Sequence, residues 1–372
     1  MGVRRVGKTV LAQSFPDGAY LDCELPSTRR ALEDPEDILD SHRGRTIVLD
    51  EIHRLPDPAG FLKIAADHYP DTRILATGSS TLGASARFRD TLAGRKREVW
   101  LTPMVAADLQ AFGSTDLRRR LLRGGLPSFF LSSAPPDAAY QEWVDAYWAK
   151  DILELFRLER RHAFGRLFEL LMMQSGGIFE ATALARPCDI SRTTVMNYVA
   201  ALDATFVVHL VRPFAGGGAA EIVSAPRAYG FDTGFVCFFR GWHDLRREDM
   251  GLLWEHLVLN ELHAHLGRGP VRYWRTKNGS EVDFVVCRRG EPPVAIECKW
   301  SADEFDPAGV KAFRARYAGD DNYVVASDVR RRFSKTYRGL RVNFVPLAML
   351  ADSLSRRAPA SRGKDSSEPQ RA

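Results

Sequence analysis

The chain has 372 residues, of which 45% are hydrophobic and 27% charged; this excludes disorder over its bulk and leaves room for two or three cores at about 150 residues each. Lys and Arg (52) exceed Asp and Glu (47) by a formal +5, a charge that tolerates nucleic acid without demanding it. No apolar run approaches the roughly 18 residues of a membrane span, no leading segment reads as a signal peptide, and Val6 stands where a myristoylation site wants a hydroxyl, so no membrane contact is expected. Cys23, Cys188, Cys237, Cys287 and Cys298 are scattered without ligand spacing; neither zinc nor a disulfide framework is expected, and reduced thiols fit a cytoplasmic protein.

Residues 1–115 alternate short β-type runs with helical patterns, as a parallel α/β module requires. Gly2-Val3-Arg4-Arg5-Val6-Gly7-Lys8-Thr9 matches the phosphate-loop pattern G-x-x-x-x-G-K-[ST] in full. Its glycines let backbone N–H groups close around phosphate oxygens, Lys8 supplies charge to the β- and γ-phosphates, and the Thr9 hydroxyl suits Mg²⁺. Val10, Leu11 and Phe15 are expected on the buried face of the helix that follows. Only Met1 precedes Gly2, where such a loop ordinarily follows a buried strand. The expectation is an upstream start that supplies the strand, with nucleotide binding weakened or lost without it.

The run Thr46-Ile47-Val48-Leu49 reads as a buried strand ending in Asp50-Glu51. That position puts Asp50 beside the Mg²⁺ of a bound nucleotide and Glu51 where the attacking water would sit. A third strand, 72–76, ends in Thr77-Gly78-Ser79-Ser80, polar groups suited to touching the γ-phosphate or the water. Residues 116–181 read as a helical lid whose stripe of Trp143, Tyr147, Ile152, Leu155 and Phe156 is core packing. Residues 182–215 read as a compact three-helix, winged-helix-like unit ending in a strand pair. In it Ser191 caps a second helix with Val195, Val199 and Leu202 on its buried stripe. Two roles stay open for the exposed face of Arg192, Thr193, Thr194 and Asn197: reading a DNA major groove, or serving a lid and protein-contact module.

Gly216-Gly217-Gly218 marks a hairpin or linker; residues 216–348 read as a second α/β unit and 349–372 as a disordered tail. The sharpest signal in the second unit is Glu281-Val282-Asp283 followed by Glu297-Cys298-Lys299, both on apolar strands. Residues two apart share a strand face, so a hairpin brings two or three carboxylates and one lysine together. That set is similar to the D-x(n)-E-x-K site of PD-(D/E)XK nucleases, which implies that Asp283 and Glu297 hold Mg²⁺ and Lys299 activates the attacking water. Glu255 or Glu261, from an upstream helix, would complete the acids. The competing reading is a surface ion pair worth under about 1 kcal/mol. His53 reads as a loop contact, and His256, His263 and His265 offer no zinc set.

Several motifs in order resemble one family, the prokaryotic AAA-type ATPases with an uncharacterised C-terminal domain. They are Gly2 to Thr9, Ile47 to Ile52, Ala76 to Ser80, Leu92-Ala93-Gly94-Arg95, Gly124-Gly125-Leu126-Pro127, Phe231-Asp232-Thr233-Gly234, and Trp274 to Phe284. The resemblance implies an ATP-binding N-terminal module, a restriction-endonuclease-like C-terminal module, and a role for Arg95 in sensing nucleotide or acting in trans. The resulting expectation is a mixed α/β protein that binds ATP and Mg²⁺ through Gly2, Gly7, Lys8, Thr9 and Asp50, with Glu51, Thr77 and Arg95 as catalytic candidates. Partners in view are nucleotide, DNA, another protein and a second copy of the chain. A nucleotide-gated DNA nuclease and a non-enzymatic DNA- or protein-binding switch stand as alternatives.

Overall fold

A computed structural model describes residues 1–78, 91–133, 137–153, 160–215 and 225–355. Ser79, Ser80, Leu155, Phe156, the run Gly216–Gly218 and the chain beyond Ser355 lie outside the described residues.

The N-terminal module is a parallel three-stranded sheet in the order β1 (Gly18–Asp22), β2 (Thr46–Asp50), β3 (Arg73–Ala76). Ile47, Val48 and Leu49 are fully buried, which is why β2 reads as a continuous apolar run. The helices Pro35–Ser41 and Pro58–His68 start where a proline follows an aspartate: Asp34 accepts from the Glu36 N–H at 3.0 Å and Asp57 from the Gly60 N–H at 3.1 Å. The helix Lys8–Gln13 follows the loop, entered through Gly7 at φ 102°, a left-handed conformation that suits glycine. Gly2 is equally constrained, since a Cβ there would stand 2.5 Å from the Leu101 carbonyl oxygen.

Among the described residues β3 pairs on one side only. Past its free edge runs an apolar trough of 660 Å³ whose walls include Leu11, Phe15, Leu62, Ile74, Val99 and Leu101. On the far wall the Met1 ammonium donates to the Val99 carbonyl at 2.7 Å, and the Leu101 N–H donates to the Met1 carbonyl at 2.8 Å, the spacing of a parallel ladder. The expected burial of Val10, Leu11 and Phe15 is therefore corrected: all three are exposed, Val10 by 71%, because the sheet face they would cover ends at β3.

The helices Leu117–Arg123, Asp137–Tyr147 and Arg161–Met173 bury Trp143 and Tyr147, and Ile152 is buried in the π-turn Trp148–Ile152. Trp143 stacks on Tyr147 and on Phe231, with ring centroids 5.2 and 5.1 Å apart. The 182–215 region holds two helices, Ala181–Ala185 and Arg192–Ala204, where three were expected. Ser191 caps the second by accepting from the Thr194 N–H at 3.0 Å, and Val195, Val199 and Leu202 face inward as the spacing dictates. Strand β4 (Val208–Val211) then pairs antiparallel with β5 (Arg227–Gly230), so the strand pair runs across the division drawn at 215–216.

The C-terminal sheet has six strands in the order β10-β11-β9-β8-β7-β6. These are β6 (Val271–Arg275), β7 (Glu281–Val286), β8 (Val294–Lys299), β9 (Asn322–Ala326), β10 (Phe333–Tyr337) and β11 (Leu340–Val345). The helix Arg247–Leu266 packs on β8 and the helix Ala308–Arg314 on β7, each with its own apolar cluster. The largest cluster runs unbroken from Val3 of the phosphate loop to Leu354, so the middle region and the C-terminal sheet share one core. The tail expected from residue 349 is corrected for its first residues. Leu350–Ser355 is a helix with Leu350 and Leu354 buried, because that i, i+4 pair gives even this short helix an apolar face.

Candidate functional site

Two polar constellations stand out, one at the strand ends of the N-terminal sheet and one in the C-terminal sheet. At the first, β2 delivers Asp50 into the interior, where one carboxylate oxygen accepts from the Tyr20 hydroxyl at 2.9 Å and the other from the Thr77 hydroxyl. Thr77 in turn accepts from the Glu51 N–H at 3.2 Å, tying the ends of β2 and β3 together. Glu51 sits at φ 53°, a left-handed turn that aims its carboxylate away from Asp50 and onto His53 Nδ1 at 3.1 Å. Burial pushes the Glu51 carboxyl up, but the His53 hydrogen bond and charge, with Lys8 and Arg4, outweigh it and hold it below its ordinary value.

Lys8 bends back over its own loop, donating to the Gly2 and Val3 carbonyls at 2.9 and 3.0 Å. Burial lowers its pKa against the opposing pull of Glu51, Asp151 and Asp50. The geometry thus gathers Lys8, Asp50, Glu51 and Thr77. It leaves Thr9 exposed, and among the described residues Thr9 makes no hydrogen bond to Asp50. Arg95 is paired with Asp67 at 2.6 Å and lines the same trough as Lys8 and Thr77. Sequence reasoning missed Asp151, buried in the π-turn and bonded to Arg4 of the loop at 3.1 Å, and Trp143, whose indole N–H donates to the Arg4 carbonyl at 3.1 Å. A lone acid inside the apolar stripe of a helical segment was the signal for Asp151.

The motifs around Gly124-Gly125 and Asp232 meet. Asp232, fully enclosed, accepts from the Gly125 N–H at 2.5 Å and the Gly234 N–H at 2.9 Å, while Arg120 donates to Thr233 at 3.1 Å and to the Met104 carbonyl at 2.9 Å. Burial pushes Asp232 up, and Arg120 with those backbone donors pulls it back. This is a buried junction between the middle helices and the turn that follows β5.

In the C-terminal sheet Lys299 Nζ stands 2.8 Å from Glu297 and 3.4 Å from Asp283, and the Cys298 N–H donates to the same Asp283 oxygen at 2.8 Å. The hairpin of β7 and β8, with Phe284 opposite Ile296, brings them together as their spacing implies. Glu255 joins the group and Glu261 does not. Glu255, partly buried, accepts from the Tyr229 hydroxyl at 2.5 Å and pairs with Arg227 at 3.1 Å, whereas Glu261, fully buried, accepts from the Ala106 N–H at 3.0 Å and pins the helix Ala106–Ala111. Arg227 also bonds Glu281 at 2.8 Å. Burial, then the charge of Asp283, raises Glu255 to about 7 and Glu297 to about 8, since four carboxylates face three cations, Arg227, Arg275 and Lys299. As the side chains stand, no group of three or more His, Cys, Asp or Glu among the described residues is arranged to hold a metal ion. Arg227 and Tyr229 were missed, although their spacing of two on an apolar strand places them on one face.

No helix among the described residues is long and apolar enough to cross a membrane. All five cysteines are free.

Residues 1–109 match the model of an AAA domain, residues 114–246 a domain of unknown function (DUF8612), and residues 250–350 a second domain of unknown function (DUF4143). The uncharacterized proteins Rv2008c of Mycobacterium tuberculosis and Mb2031c of Mycobacterium bovis are each 31% identical to the chain over 304 residues, covering 78% of this chain and 67% of theirs. A solved structure of the Aeropyrum pernix ORC1 protein in complex with DNA aligns over 64% of this chain and 85% of that chain, at 14% identity and a TM-score of 0.23.

Proposed function

The chain belongs to the family of the mycobacterial proteins Rv2008c and Mb2031c, with an AAA domain at residues 1–109, and from that premise we propose that it is a Mg²⁺-dependent ATPase. In this reading its nucleotide state is relayed through the helical and winged-helix-like region to the C-terminal carboxylate–lysine site. One observation carries it: Asp50 and Glu51 at the end of β2 are locked to Thr77 at the end of β3, with Glu51 and Asp50 both acting on the Lys8 charge. The donor set suits Mg-nucleotide. Lys8 with the loop N–H groups would hold the phosphates, and Thr9 and Asp50 would hold the ion, which supplies charge neutralisation to the phosphoryl oxygens. Glu51 orients the attacking water, and its depressed pKa keeps it a base at neutral pH. The test is Mg²⁺-dependent ATP hydrolysis by the full chain beside Lys8→Ala. Turnover that disappears in the variant supports the assignment, and unchanged nucleotide affinity in Lys8→Ala removes it.

The second reading is a Mg²⁺-dependent DNA nuclease gated by nucleotide, favoured by the contact of Asp283, Glu297 and Lys299 on one hairpin. Asp283 and Glu297 are the two acids that would hold the ion, and the excess of carboxylate over cation in the cluster suits a divalent charge. Lys299 would then release the acids and turn to the water. Asp283→Ala separates the readings, because it should erase cleavage of duplex DNA and spare ATP turnover. Cleavage that survives Asp283→Ala rules out this site.

A further inference from the structure

The corner where β4 runs on beside β6 holds a second cavity. Pro213 bridges Tyr273 in parallel, the Tyr273 N–H donates to the Arg212 carbonyl at 3.1 Å and the Phe214 N–H to the Tyr273 carbonyl at 2.6 Å, so the two units are stitched together there. Junctions of this kind are where ligand cavities tend to form. The cavity measures 230 Å³ and is lined by Asp203, His209, Arg212, His263, Arg268 and Arg272 together with apolar residues.

Its charge is one-sided, three guanidinium groups against one carboxylate. Arg268 is committed, donating to the Asp203 carboxylate at 2.9 Å and the Asp203 carbonyl at 2.8 Å while lying over the Phe206 ring at 4.7 Å. Among the described residues Arg272 donates only to two neighbouring backbone carbonyls, Gly269 and Val271. The Arg212 guanidinium makes no hydrogen bond or ion pair among the described residues. Arg212 and Arg272 thus have no bonded acid among the described residues, and Arg212 acts on Asp203 only through its field.

Beneath that rim the His209 and His263 rings stand edge to face, 4.9 Å apart, and are 5% and 3% exposed. Among the described residues neither Nδ1 has a hydrogen-bond partner, and neither does the indole nitrogen of Trp100, whose ring is 5.2 and 5.5 Å from the two imidazoles. Buried polar nitrogens are paired in the great majority of cases, so the two imidazoles that line the cavity point to something that completes the set. The charged and titratable groups facing the imidazoles are Asp203 from the helix Arg192–Ala204, Arg212 after β4, Arg268 and Arg272 around β6, and His256 on the helix that carries His263. Burial lowers both imidazoles, His263 to about 3, so each is a neutral ring with one N–H to offer.

We propose that this corner is an oxyanion site that takes a phosphoryl group, gripped by Arg212 and Arg272 at the rim and seated on His209 and His263. Guanidinium forks match the several acceptor oxygens of a phosphoryl group, and neutral imidazole N–H donors add to its hold without building up further positive charge. The phosphoryl group belongs either to a small phosphate ligand or to a nucleic-acid backbone.

The test is NMR of the imidazole resonances in the full chain carrying Lys8→Ala, which silences the loop as a competing phosphate site. Inorganic phosphate is titrated against chloride at constant ionic strength, with His209→Asn and His263→Asn assigning the signals. Saturable shifts of both rings are expected, with binding weakened about ten-fold or more in Arg212→Gln/Arg272→Gln, a surface pair whose removal leaves the core intact. A parallel titration with a short DNA duplex distinguishes the sources. Shifts that phosphate competes away identify a backbone phosphate, and shifts with phosphate alone identify a small ligand. The absence of saturable shifts in both titrations, or shifts of equal affinity in the arginine variant, overturns the proposal.

Discussion

Arg227 of β5 crosses to Glu255 of the helix Arg247–Leu266 at 3.1 Å, a pair of a buried guanidinium and a partly buried carboxylate that joins the region matched as one domain of unknown function to the region matched as the other. Removing one partner of such a pair strands the other charge out of water. Arg227→Met is therefore expected to lower stability by about 3 kcal/mol, read by chemical denaturation. The double variant Arg227→Met/Glu255→Leu should recover most of that loss. A single variant within about 1 kcal/mol of the parent would mean that the pair is solvated, as exposed pairs are.

Glu51 is turned from Asp50 by its left-handed backbone and keeps its own partner in His53. The two acids should then separate functionally. Glu51→Gln is expected to keep nucleotide affinity and reduce turnover about a hundred-fold or more, the usual scale for a lost general base. Fluorescent-nucleotide titration beside phosphate release checks it. If affinity and turnover fall together, Glu51 acts in binding and the water-orienting role fails.

Gly124 has φ 79°, and a Cβ on it would lie 1.8 Å from an Asp232 oxygen. Strain and the displacement of a buried carboxylate act in the same direction here. Gly124→Ala is expected to destabilise by about 3 kcal/mol, with Gly44→Ala, at φ 72° but in open space, costing about 1 kcal/mol. Equal thermal midpoints for the two variants would show that the Asp232 junction yields easily.

The raised carboxyls set a pH dependence. Glu255, at about 7, and Glu297, at about 8, bind protons in the folded chain that the unfolded chain has already released, so their contribution is present at low pH and lost as pH rises through 7 to 8. His209, His256 and His263, all lowered by burial, add stability as pH rises toward about 6.5 and are neutral in both states above it. The Met1 ammonium, lowered by burial, works against the carboxyls in the upper window. The informative comparison is thus with Glu255→Gln/Glu297→Gln. Between about pH 6.5 and 8 the parent should lose stability relative to that variant. Parallel pH profiles would show that the two acids are ionised throughout.

What could be read from the sequence was local. The phosphate-loop spacing, the apolar strand that ends in Asp50-Glu51, and the Glu297-x-Lys299 alternation each lie within a few residues, and periodicity alone places them. The cap at Ser191 and the stripe of Val195, Val199 and Leu202 were legible for the same reason. Contacts made at long range were not. Gly125 and Asp232 are 107 positions apart, Arg4 and Asp151 are 147 apart, and nothing in either local pattern names the other. The choice between Glu255 and Glu261 was undecidable from helical spacing because neither is exposed, Glu261 being buried and Glu255 partly so, and only Arg227 and Tyr229, from another element, distinguish them. Val10, Leu11 and Phe15 failed for a related reason: an apolar face shows what a helix can bury, not whether a surface stands opposite it.

The open edge of β3 also governs how the molecule behaves in company. Strand backbone that no described residue pairs, flanked by exposed Leu11 and Phe15 with Val99 across the trough, is a template on which an extended chain adds a rung. Self-association should therefore begin at the N-terminal sheet and rise with protein concentration. Strongly charged extended segments would be poor occupants of so apolar a lane.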